Sequence, residues 1–150
     1  LLSHLLREEY LWKPGSEKWC LLEIVCHLYD EEQFDFRART GHILENIQSD
    51  LPPIDPVGWV KSKNYIDQNY DETVDKFLAE REKSVEWLRS LKEPKWKNEY
   101  KHKTFGIMSA EFFLTNWLAH DYLHIRQITA LKFNYLKHIS GLDPLYAGEW

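Results

Sequence analysis

Four stretches of this chain carry apolar residues at the 3.6-residue rhythm of a helix face, and none alternates as a strand would. Residues 1–12 read as the end of a first helix, closed by Lys13, Pro14 and Gly15. Ser16 offers an N-cap to a second helix with apolar positions at Leu21, Ile24, Val25 and Leu28, running on towards Ile43, Leu44 and Ile47. Pro52, Pro53 and Pro56 then break the pattern, and Asp55 before Pro56 caps a short helix through Trp59 and Val60. Asp71 opens a third helix whose stripe is Val74, Phe77, Leu78, Val85, Leu88 and Leu91. Ser109 caps a fourth, with Phe113, Leu114, Trp117, Leu118, Ile125, Ile128 and Leu131. The expectation is all-α: one domain over residues 1–150, a four-helix bundle with a long crossover between helices 2 and 3. Because Leu1 already lies within a helical rhythm, the first helix is expected to be truncated at its N-terminus.

Composition narrows the partners. An apolar fraction of 43% supplies a real core for a chain of 150 residues. The net charge of −5, with no basic stripe, argues against a nucleic-acid partner. No apolar run approaches the roughly 20 residues that span a bilayer, so no membrane is expected. Cys20 and Cys26, six positions apart, would leave one helix about 240° apart around its axis, which excludes a disulfide between them. Two free cysteines fit a reducing compartment, hence the cytoplasm.

The chemistry centres on histidine. His120 and His124 are four residues apart, so both imidazoles leave one helix face beside Trp117, Ile128 and Leu131. Spacing alone is weak, because seven histidines in 150 positions give about 0.3 such pairs by chance. His27 lies on the apolar side of the second helix, and packing the two helices together would gather three nitrogens around one divalent ion. Three protein ligands with an open fourth position is the pattern of a catalytic metal. Rival motifs are missing: the residue after His120 is Asp121, not the Glu of His-Glu-x-x-His, and neither paired Glu-x-x-His units nor paired cysteines occur. Asp121 and Gln127 are placed to orient a ligand's second nitrogen, or Asp121 to form a helix salt bridge. Glu31, one turn after His27, is a candidate base or pocket-edge group, and Glu31 and Asp121 are the only catalytic candidates. His4, His42, His102 and His138 read as solvated surface. On the residues alone, a metal site and a set of hydrogen-bonded boundary histidines both stay open.

The segments around these histidines resemble the DinB-like (DinB/YfiT) superfamily. Residues 19–32 are similar to its second helix, Phe77 to Glu82 with Trp87 to Leu91 to its third, and His120 to Ile128 to its fourth. The resemblance implies a four-helix bundle with a long crossover and a divalent ion (nickel, zinc or iron) held by His27, His120 and His124. It implies a homodimer, and for some members S-transfer with a low-molecular-weight thiol such as bacillithiol or mycothiol. Metal-dependent hydrolysis is the companion expectation, and a non-catalytic dimeric metal- or ligand-binding module of stress response is the alternative. Three histidines suit all three ions, so the metal's identity is not specified.

Overall fold

The computed structural model describes residues 1–148. Its helices are α1 (Arg7–Tyr10), α2 (Leu21–Asp30), α3 (Ala38–Leu44), α4 (Pro56–Ser62), α5 (Tyr70–Ser90) and α6 (Ala110–Ser140). Between α2 and α3 the chain does not leave the helical path: Glu31–Arg37 forms a π-helical segment, so one long wall runs from Leu21 to Leu44. The bundle is built on α2, which packs on α5 and, more sparsely, on α6, while α3 packs on α6. The connection from α3 to α5 crosses by way of α4 and a 3-10 turn, Tyr65–Asp67.

Several boundaries differ from the sequence expectation, each for a local reason. The first helix is a single turn, because His4 adopts positive φ and Leu2 is tied by its carbonyl to Tyr70 Oη at 2.9 Å. The second helix begins at Leu21, not after Ser16: residues near Gly15 form a turn, and Glu23 reaches back to accept the Cys20 N–H at 2.8 Å. Asn69, not Asp71, caps the third helix, accepting the Glu72 N–H at 3.1 Å. Asp55 and Ser109 cap as expected, accepting from Gly58 and Phe112. Residues 99–109 hold an antiparallel hairpin, β1 (Glu99–His102) and β2 (Gly106–Ser109), with Tyr100 opposite Met108. Strands of four residues leave too short an alternation to detect. The hairpin is not decorative, for Asn98 at its base donates to the Ile43 and Leu44 carbonyls at 3.2 and 3.0 Å, closing the end of α3. Gly141, with φ of 65°, ends α6 in the left-handed region that favours glycine.

Two apolar clusters result. One joins Leu21, Leu22, Ile24, Val25 and Leu28 to Ile128 and Leu131, and the other joins Ile43 and Leu51 to Met108 and Phe113. Along α6, therefore, Phe113 belongs to one core and Ile128 to the other. His120 and His124 fall in the stretch between them. The corresponding stretch of the α2–α3 wall is the π segment, where Glu31, Glu32 and Asp35 are buried. A polar waist separates two apolar ends, and π-helical turns are frequent at functional sites.

Candidate metal centre

His27 projects from the last full turn of α2, and His120 and His124 project from successive turns of α6. Their three Nε2 atoms meet: His27 lies 3.2 Å from His120, and His124 lies 3.0 Å from His120. One ligand atom from each residue falls within 4.8 Å of every other, in the one such group of three or more among the described residues. Two nitrogens bound tetrahedrally at Zn–N distances of about 2.1 Å would stand about 3.4 Å apart, close to what is seen. Protons satisfy this arrangement poorly. Nε2 of His120 approaches two other Nε2 atoms, and a single N–H can point at only one of them. A cation can be shared by all three lone pairs.

The surroundings favour the neutral, ligating form. Burial, reinforced by the neighbouring histidines, lowers His27 to about 3. Burial and His124 lower His120 to about 4, against an opposing pull from Asp121. Burial also lowers His124, outweighing Gln127 and Asp121. Lone pairs are thus available at neutral pH, as metal binding requires. Aromatic rings wall the site: Trp19 lies 5.0 Å from the His27 ring, and Phe36 lies 5.0 Å from that of His120. Nδ1 of His27 is buried and accepts or donates no hydrogen bond among the described residues. Its ring is held by packing rather than by the usual polar partner.

Other sequence candidates sit elsewhere. Asp121 takes the salt-bridge option, with both carboxylate oxygens on Arg81 at 2.6 and 2.7 Å. Glu31 is only 4% exposed and faces Asp35. Burial and Asp35 raise its carboxyl to about 8, against Arg39. Tyr65 donates to Asp30, which also holds Lys63 at 2.8 Å. Trp59 packs against Phe34 and Lys63 on the crossover. A cavity of about 140 Å³ adjoins that cluster, and none of the three histidines lines it. Cys20 and Cys26 are free and buried, and burial raises their thiols to about 11 and about 12, so neither is a nucleophile at neutral pH. His42 corrects a surface assignment: it is buried and bonds the Ser49 carbonyl at 2.9 Å. The fold back at Asn46, with positive φ, supplies that partner. Sequence reasoning missed Arg81 and Glu32, whose only signal was a pair of opposite charges on two facing helices.

Fold and site together define a four-helix bundle carrying a cluster of three histidines that could hold a metal ion, and no curated protein matches the chain. The chain belongs to the DinB superfamily, whose family model matches residues 1–128. It is similar in fold to YfiT from Bacillus subtilis, described as a probable metal-dependent hydrolase with an unusual four-helix bundle topology. That likeness has a TM-score of 0.73 at 19% identity and covers 93% of this chain and 77% of YfiT. No helix of the described residues is long and apolar enough to cross a membrane.

Proposed function

We propose that this protein is a divalent-metal hydrolase of the DinB superfamily, with His27, His120 and His124 as the ligands. The convergence of three neutral Nε2 atoms within 4.8 Å carries the reading. A nickel, zinc or iron-type ion held by these residues would supply Lewis acidity, lowering the pKa of a bound water or thiol. The chain's own residues do the rest. Trp19, Phe36 and Trp117 keep the histidine side of the site apolar. Arg81 occupies Asp121, which removes that carboxylate from base duty. Glu31, one turn after His27, faces Asp35 and is given no proton transfer in this reading.

Hydrolysis leads because water requires no second binding pocket, and because YfiT is described as a probable hydrolase. S-transfer from a low-molecular-weight thiol is the second reading, since the same Lewis acidity would produce a thiolate. Turnover of ester and amide panels by metal-free and metal-reconstituted protein separates them, with a small thiol and an electrophile run in parallel. Metal-dependent hydrolysis abolished by His120→Ala supports the proposal. Turnover unaffected by metal removal contradicts it, and metal-dependent consumption of thiol alone selects the second reading.

Pairing with a second copy belongs to the same proposal. α6 exposes Leu118, Tyr122, Ile125 and Leu136, spaced along one face. Sedimentation should give a dimer that Tyr122→Glu dissociates, and a monomeric wild-type chain would refute the pairing. The buried free thiols support a reducing compartment such as the cytoplasm.

A further inference from the structure

The histidines come from two helices whose mutual packing is sparse at the waist, so something must set the height and rotation of α6 against α2. Arg81, on α5, reaches both. Its Nε donates to Glu32 Oε1 at 2.8 Å and its Nη2 lies 2.8 Å from Glu32 Oε2. Its Nη1 and Nη2 donate to Asp121 Oδ2 and Oδ1 at 2.6 and 2.7 Å. Both carboxylates are therefore engaged two-pronged by one planar fork, a geometry that fixes orientation as well as distance. Glu32 is 1% exposed, and its Oε2 also accepts the Trp117 indole N–H at 2.9 Å.

The positions matter more than the bonds. Glu32 follows His27 by five residues on the α2 wall, while Trp117 and Asp121 stand on either side of His120 on α6. One buried carboxylate thus holds α6 directly through Trp117 and, by way of Arg81, through Asp121. His120 is bracketed by two anchors that answer to the same point on the wall carrying His27. Arg81 also lies over the Trp117 ring, 5.8 Å from its centroid, and that ring stacks on Phe36, which packs on His120.

A buried ion network is weak evidence for stability, because desolvation offsets much of the attraction, and setting register is its better-attested use. The molecule contains its own comparison. Arg37 joins the π segment to α5 through Glu80 and through Ser84 Oγ at 3.0 Å, and among the described residues its hydrogen bonds and ion pair go to α5 and not to α6. It ties the same two elements without reaching the metal ligands.

We propose that Arg81 is a positioning residue of the metal centre, acting with Glu32 and Asp121 to hold α6 where the three Nε2 atoms meet. This rests on the reading of the histidine cluster as a metal site. The test is cobalt(II) titration of tag-free, metal-stripped protein, followed by the visible d–d absorption and by chelator competition. Arg81→Met should weaken cobalt affinity about 10–100-fold and alter the d–d band. Arg81→Lys, which keeps the charge and loses the fork, should recover only part of the affinity. Arg37→Met, matched in unfolding midpoint, should leave the affinity within about threefold and the band unchanged. Glu32→Gln provides a second route should Arg81→Met fail to fold, with a loss in the same direction expected. Equal loss in the Arg81 and Arg37 variants, or no loss on changing Arg81 or Glu32, overturns the positioning role while the metal reading stands. A wild-type chain that binds no cobalt overturns both.

Discussion

The histidine cluster and the Glu31–Asp35 pair share one helical wall, and they handle buried ionisable groups in opposite ways. Glu31 and Asp35 have a cation of their own: Arg39 Nε stands 3.1 Å from Asp35 Oδ1, and Arg39 also donates to the Pro52 carbonyl at 2.8 Å. One guanidinium serves two carboxyls, so the balance is completed by a proton. Burial, then Asp35, raises Glu31 to about 8, and burial raises Asp35. Among the described residues, the carboxylate that acts on His120 and His124 is Asp121, and both its oxygens are taken by Arg81. The histidines are kept neutral and face one another, three lone pairs that an external cation could share. A buried cluster that is balanced internally is structural, whereas one left short of a charge of a given sign is a candidate for a ligand carrying it.

The largest effect expected from this contrast is on stability. Arg39→Met leaves the single negative charge of this buried pair without its cation and should cost about 3–5 kcal/mol in urea unfolding at pH 7. His120→Ala in the metal-free protein should cost much less, because it relieves a crowded set of nitrogens. Equal costs for the two would break the comparison.

Next comes pH. Glu31 has a folded pKa raised from 4.5 to about 8, so its contribution is full below about pH 4.5 and is lost progressively up to about 8. His27 and His120 have pKa values lowered from 6.5 to about 3 and about 4, so theirs is full above 6.5 and is lost as the pH falls. Metal-free protein should therefore lose stability in acid. Between pH 6.5 and 8 the carboxyl pair alone of these two clusters sets a slope, in the opposite sense. Glu31→Gln, which needs no titratable proton, should flatten that slope in thermal unfolding scans. A slope unchanged in that variant would remove Glu31 as its source.

The smallest effect concerns His42, a buried histidine that already has its partner in the Ser49 carbonyl. His42→Ala should cost about 1 kcal/mol and leave metal binding untouched. A change in metal affinity there would show that burial of histidine, rather than convergence, is what matters.

The helices α2, α5 and α6 were legible from apolar residues at helical spacing, and Asp55 and Ser109 announced their caps, but Leu78, Leu118 and Ile125 of those stripes are exposed, and α5 buries Tyr70, Thr73, Glu80 and Ser84 instead. His27, His120 and His124 were legible as a trio only once helix packing was supposed, since local spacing is satisfied by chance. The π segment was not legible, because a one-residue phase shift in a helix leaves no mark in composition. Nor was the role of Arg81, whose partners lie 49 and 40 positions away in the chain. The hairpin escaped because its inward residues, Tyr100 and Met108, are too few to show a period. His42 was misassigned because its partner is a backbone carbonyl, which every residue possesses.

The most direct measurement is metal stoichiometry in tag-free protein, stripped with chelator and titrated with cobalt or zinc, for the wild type beside His120→Ala. The account predicts about one ion per chain in the wild type and none retained in the variant. A wild-type chain that binds no ion, or a variant that binds as the wild type does, would contradict it.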